Sequence, residues 1–201
     1  MCCRYYLEES PELRPFVEAM NRSPLTERFR QEALVVEQGE VYPSNVVPVI
    51  AVNRKGQRSV FPMRWGFSGK TLLINARTET AAVRPLFRDA WVGHRCIIPA
   101  SWYYEWEHLV SADGKKKTGK RYILQPRGAS LSWLCGLYRM EKDLPCFVIL
   151  TRPPAEDIRF IHDRMPLMLP ERCVDDWIRP GTDPGMLLEN AQTDILHEPA
   201  V

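Results

Sequence analysis

The sequence predicts an α+β protein, a single domain with a β-rich core flanked by short helices, on three observations. Short apolar runs bounded by turn signals recur along the chain, which is the pattern of buried strands. Two proline-led segments with helical spacing stand near the start. The 201 residues, 45% hydrophobic and 26% charged, suffice for one well-cored domain and are short for two. The expected unit is therefore 1–201, with no repeat and no internal boundary, and 180–201 as a loosely docked, Pro/Gly-punctuated tail.

Taken in order, Pro11 follows a Ser10 N-cap, and Leu13, Phe16, Val17 and Met20 fall on one helical face. A second short helix begins at Ser23, again with proline next. Residues 46–52 form an apolar strand, and the Asn53–Gln57 turn returns the chain through a second strand over 59–65. Trp65-Gly66-Phe67 closes it. Trp65 suits the core, while Phe67 fits either the core or an exposed wedge. Leu72–Ile74 is a short buried strand, and the Thr-rich segment after it opens a helix over 79–90. Further strands are expected over 95–100 and on to Trp106, then at 121–125, 130–138 and 145–151. Ser111–Lys120, with three consecutive lysines, has the composition of a solvated hairpin loop. Short helices over 155–161 and 171–179 complete the set.

Several classes are excluded. No run approaches the roughly 18 apolar residues of a membrane span, and the start lacks a signal-peptide core, so an intracellular, cytoplasmic protein is expected. The net charge of +2 does not demand a nucleic-acid partner but permits a local basic face. The six cysteines, at 2, 3, 96, 135, 146 and 173, show no CxxC pair and no Cys/His ligand spacing. No metal, cofactor or disulfide framework is expected, and the four internal cysteines suit small core positions.

Four places carry chemistry. Cys2 follows Met1, and its small side chain permits removal of that methionine, leaving an α-amine and a thiol on adjacent carbons. Such an aminothiol condenses with an aldehyde to an imine and closes to a thiazolidine; it also serves as an N-terminal nucleophile. Asn75-Ala76-Arg77 stands where an apolar strand ends, a place where folds tend to put chemistry. Asn75 can orient a reactive group and Arg77 can grip a phosphate, while the same stretch can also simply cap a helix. Glu105 sits among Trp102, Tyr103, Tyr104 and Trp106. Buried there, it would have a raised pKa suited to a general acid; in strict alternation it would face water. His162-Asp163-Arg164 joins a titratable imidazole to a phosphate fork, although a lone histidine is more often structural.

The full set, in order, resembles the SOS-response-associated peptidase (SRAP) family, whose members are known to crosslink to abasic sites in DNA. The matching residues are Met1-Cys2 with Arg4, Pro43, Trp65-Gly66, Asn75-Ala76-Arg77 with Glu79-Thr80, Arg95-Cys96, Pro99-Ala100, Glu105-Trp106, Thr151 and His162–Pro166. The resemblance implies a barrel-like core and a groove for single-stranded DNA containing abasic sites. It implies Cys2 as the residue that attacks the ring-opened deoxyribose and Asn75 as the holder of the reacting centre. Glu105 would then be the acid/base and His162 the group assisting at the sugar. Arg4, Arg77 and Arg164 would contact the DNA backbone, with Trp65, Phe67 and Trp102 as stacking candidates. Strand scission and self-processing peptidase activity go with the same resemblance, a monomer is the default expectation, and nucleoid association is expected while bound to DNA. The competing classes are an N-terminal-nucleophile peptidase or amidohydrolase, and a non-catalytic single-strand-binding module. Two departures stand out: Cys3 replaces the family's usual glycine, and the segment from Phe67 to Thr71 is short.

Overall fold

The computed structural model describes residues 2–111 and 114–200. The expected loss of Met1, and the Ala112–Asp113 part of the expected loop, lie outside the described residues. β1 (Arg4–Leu7) leads to α1 (Arg14–Asn21) and α2 (Pro24–Arg30), then β2 (Gly39–Val41), β3 (Val46–Val52) and β4 (Arg58–Trp65). β5 (Asn75–Arg77), α3 (Thr78–Ala81) and α4 (Arg88–Gly93) precede the long strands. These are β6 (Arg95–Ala100), β7 (Trp102–Val110), β8 (Lys116–Pro126), β9 (Ser132–Glu141) and β10 (Leu144–Arg152). The chain ends with β11 (Met165–Pro166), α5 (Val174–Ile178), α6 (Pro184–Leu187) and β12 (Ile195–Pro199).

One sheet runs β11-β10-β4-β3-β6-β9, and β9 also pairs with β10, which closes β10-β4-β3-β6-β9 into a five-stranded barrel. Closure removes the exposed edges that such apolar strands would otherwise present. It also explains why β3 is buried at every residue but its last: one face lines the barrel, and α1 packs against the strand. Gly136 in β9 sits where the wall is tightest. A Cβ there would lie 2.8 Å from both Ile98 Cδ1 and the Val148 carbonyl oxygen. The second sheet, β12-β8-β7-β1-β2, packs its inner face over the same core.

Helix starts follow their capping chemistry. Ser23 Oγ accepts from the Leu25 N–H at 3.4 Å, with Pro24 in the first turn of α2. Ser10 Oγ accepts from the Leu13 N–H at 3.2 Å, but it caps a turn, and α1 starts only at Arg14. Arg95, 1% exposed, staples the far side of the barrel. Its five N–H groups donate to the carbonyls of Trp91, Val92, Trp177, Arg179 and Thr182 at 2.6–3.1 Å. That arrangement collects the orphan carbonyls at the ends of α4 and α5 around one buried cation.

Five expectations need correction. The segment 180–201 is not a loose tail: β12 pairs with β8 over five residues and buries Ile195. The lysine-rich stretch from Lys116 onward extends the β7–β8 ladder, with His108 opposite Thr118. Leu72–Ile74 is not the strand before Asn75. The ladder is made by Asn75–Arg77 themselves, and Leu72 is 40% exposed, draped over Gly66. Gly66 has φ +117°, which calls for glycine, and a Cβ there would also lie 2.7 Å from Leu72 Cδ1, so the half-exposed Leu72 side chain would have to move aside. The helix expected over 79–90 is two short ones, and the one over 155–161 is a single 3₁₀ turn at Glu156–Ile158.

β10 sets up the site. Its first half pairs in parallel with β4 and its second half with β5, so the 66–74 excursion replaces one neighbour by another along the same edge. On the opposite edge, β9 gives way to β11. Thr151 thus lies between Arg77 and Pro166, and Asn75, Arg77 and the 162–166 segment gather at one end of the barrel. No helix among the described residues is long and apolar enough to cross a membrane.

Candidate active site

Cys2 enters this end of the barrel just before β1. The β1–β7 register sets Arg4 opposite Tyr104, and one residue further on the same register brings Cys3 level with Glu105. Cys2 is fully buried, and the Asn75 Nδ2 amide donates to its carbonyl oxygen at 2.9 Å. The Asn75 Oδ1 atom is also buried and has no hydrogen-bond partner among the described residues. Burial raises the Cys2 thiol pKa well above the ordinary value, and the Glu105 carboxylate beside it pushes in the same direction. The thiol is therefore protonated at neutral pH, and its S–H points to the Arg4 carbonyl at 3.8 Å.

Glu105 faces inward and is 4% exposed, so the aromatic cluster encloses it and the water-facing alternative is overturned. Burial raises its pKa, which keeps a proton available nearer neutrality than an ordinary glutamate would. His162 Nε2 lies 4.0 Å from Glu105 Oε1. Burial lowers the His162 pKa to about 4, so the imidazole is neutral at physiological pH. Nδ1 accepts the Arg164 backbone N–H at 2.9 Å, a contact that favours the proton on Nε2, toward Glu105. Asp163 Oδ1 stands 2.8 Å from that same Nδ1. At that distance the carboxylate favours a proton on Nδ1 and so opposes the backbone contact, although Asp163 is 81% exposed, which weakens its pull. An acid with a raised pKa beside an imidazole with a lowered one is the arrangement in which environment divides acid from base.

The cations differ in commitment. Arg77 is exposed at the end of β5. Arg4 shares the Glu40 carboxylate with Arg121 at 3.3 and 2.7 Å and lies over the Tyr42 ring at 3.8 Å. Arg164 forms a bidentate pair with Glu79, one contact of 2.9 Å, and donates to the Thr151 carbonyl at 2.6 Å. That pairing holds the Glu79 pKa down at about 2. Arg164 is thus anchored rather than freely offered.

Two stacking candidates fail. Trp65 is fully buried, its indole N–H donating to the Ile74 carbonyl at 3.0 Å and its ring parallel to Phe147. Phe67 is fully buried against Phe87 with Arg139 over its ring at 4.3 Å. Neither shows a face to a base. Trp102 is half-buried and stacked on Tyr6, centroids 4.7 Å apart. Sequence reasoning missed Tyr103, whose buried hydroxyl is close enough for Cys2 to help raise its pKa, after burial itself. It also missed His108, whose ring centroid lies 3.8 Å from that of His162. A β-bulge between Trp106 and His108 re-aims that side chain, and a bulge leaves no sequence mark here.

Fold and centre define a class: a closed β-barrel protein with a cysteine at its N-terminal strand, held by an amide and faced by a buried carboxylic acid and a neutral imidazole. Within that class, the chain belongs to the SOS response associated peptidase (SRAP) family, whose model matches residues 1–198. The Bacillus subtilis (strain 168) abasic site processing protein YoqW is 34% identical over 182 residues, covering 81% of this chain and 79% of that protein. The Escherichia coli (strain K12) abasic site processing protein YedK is 31% identical over 125 residues, 59% of this chain and 54% of its own. Among solved structures, a Bacteroides thetaiotaomicron protein shares the fold at a TM-score of 0.74 and 19% identity, covering 100% of this chain and 92% of that one. A phage-related protein from Bordetella bronchiseptica does so at 0.72 and 20%, covering 99% and 94%.

Proposed function

We propose that this protein processes abasic sites in single-stranded DNA by covalent capture through Cys2, after removal of Met1. The observation that carries the reading is the Cys2 carbonyl held by Asn75 beside the Glu105–His162 pair. The names of the relatives support the same substrate class.

The electrostatics favour an order of events. A thiol whose pKa is raised well above normal is a poor first nucleophile, whereas an α-amine, with a reference pKa of about 7.7–8.0, is partly neutral at pH 7. The amine adds to the C1 aldehyde of the ring-opened deoxyribose, and the carbinolamine loses water to give an imine. The Cys2 S–H then adds across that C=N bond, sulfur to carbon and proton to nitrogen, closing a thiazolidine with no further loss. Glu105 gives the proton that leaves with water, and the neutral His162 takes and returns the proton that opens the sugar ring. Asn75 fixes the Cys2 carbonyl and so the direction of the amine. Arg77 and Arg4 meet phosphates, and Arg164, through its Glu79 and Thr151 anchors, holds the 162–164 turn in place as it does so.

An adduct that survives denaturing electrophoresis, made from an abasic single strand and absent in Cys2→Ala, is the expected result. Equal adduct yield in Cys2→Ala would overturn the assignment of the nucleophile. Turnover of amide substrates without any DNA adduct would favour the N-terminal-nucleophile peptidase instead.

A further inference from the structure

We propose that His108, His162 and Asp163 form a binding site for one zinc ion, and that its occupancy switches the Cys2 centre off. The inhibitory half rests on the abasic-site reading above; the binding half does not.

The three residues each offer one ligand atom, and these atoms lie within 4.8 Å of one another. Two imidazoles and a carboxylate, with a fourth position open to water, is an ordinary zinc donor set. With zinc–ligand bonds near 2.0–2.2 Å, neighbouring ligand atoms of a tetrahedral ion stand about 3.4 Å apart. His108 and Asp163 are both exposed, so modest rotation of two surface side chains closes the difference. The backbone beneath them is already joined, because the His108 N–H donates to the Ile161 carbonyl at 3.0 Å. That bond ties the bulged part of β7 to the turn carrying His162 and Asp163, so the donors are held together before any ion arrives. The donor set selects the ion: imidazole nitrogens suit zinc and its neighbours, whereas magnesium and calcium prefer oxygen ligands.

The consequence for the centre follows from the two nitrogens of His162. An ion on Nδ1 replaces the hydrogen bond from the Arg164 N–H, and an ion on Nε2 replaces the approach to Glu105. Either position withdraws the imidazole from proton transfer. The ligands are 54 positions apart in the chain, which is why no local Cys/His spacing announces the site.

The test is calorimetric titration of zinc chloride into the full chain, in buffer free of thiol and chelator. One site per chain is expected, weakened by about tenfold or more in His108→Ala and retained in the Cys2→Ser/Cys3→Ser double variant. Absence of binding, binding unaffected by His108→Ala, binding lost with the two cysteines, or equal heat from magnesium chloride would each overturn the site. In a second arm, zinc slows adduct formation on abasic single-stranded DNA and EDTA restores it, whereas in His108→Ala the rate with zinc equals that variant's own zinc-free rate. Calorimetric binding with no effect on the wild-type adduct would overturn the inhibitory half. Failure of adduct formation in zinc-free buffer would instead count against the proposed function and leave the calorimetric result standing.

Discussion

In the proposed reaction Asn75 aligns the Cys2 nucleophile, and Asn75→Ala isolates that role. Its amide makes one part-buried hydrogen bond, 2.9 Å long, to the Cys2 carbonyl. Removing it leaves that carbonyl without its donor, in a pocket where Cys2 is fully buried. Leaving a buried acceptor unsatisfied costs about 1–3 kcal/mol. If that cost is spent as misorientation of the amine, it corresponds to a roughly 5- to 150-fold slower adduct. Asn75→Asp should fall at or beyond the slow end, because a carboxylate would set an acceptor against an acceptor. The assay is single-turnover adduct formation at saturating abasic DNA, with affinity measured separately by anisotropy on a strand carrying a non-reactive abasic analogue. A positioning role slows the saturated rate and leaves affinity nearly unchanged. A wild-type rate in folded Asn75→Ala would refute the reasoning, and a loss confined to affinity would make Asn75 a DNA-binding residue instead.

Three further outcomes follow from the scaffold. Arg95→Met leaves five carbonyls without their donor and should cost about 3–5 kcal/mol, read as a lower urea midpoint; a loss below about 1 kcal/mol would show that water replaces the cation. Gly66→Ala meets both a positive φ and the Leu72 side chain, and should cost about 1–3 kcal/mol. Leu72→Ala should restore only the part due to the clash, and complete rescue would mean that the backbone angle costs nothing. Glu79 has a folded pKa of about 2 against 4.5 unfolded, so its contribution is present above pH 4.5 and lost as pH falls toward 2. Because Glu79 is 44% exposed, solvent screening reduces that contribution to about 1 kcal/mol or less. Stability measured from pH 5 to 2 should fall less steeply in Glu79→Gln; parallel curves would show that the pair is stabilising nothing.

Much of the barrel was legible because burial on both faces writes itself as an uninterrupted apolar run. Val46–Val52 is such a strand, and Asn53 to Gly56 marks its turn plainly. β5 lies three residues beyond the expected strand because its position is set by β10, whose second half accepts Asn75–Arg77, and not by the apolar Leu72–Ile74 before them. β12 was invisible for a related reason. It carries one buried apolar residue, Ile195, and its partner strand lies about 70 positions upstream. At the centre, residue types singled out Cys2, Asn75, Glu105 and His162 as candidates, and the fold brings Cys2 to Asn75 and Glu105 to His162. What residue types do not encode is direction. Trp65 points inward as its core reading had it, Phe67, which fitted core or wedge equally, also points inward, and His108 meets His162 beside a bulge.

The central claim is that Cys2 condenses with an abasic aldehyde through its amine and then its thiol. Denaturing intact-mass spectrometry of the protein, alone and mixed with single-stranded DNA carrying one abasic site, tests it most directly. The account predicts free protein lacking Met1 and an adduct of the summed masses less one water, lost in Cys2→Ala. Protein already lacking Met1 that forms no adduct, or an adduct that persists in Cys2→Ala, would contradict it.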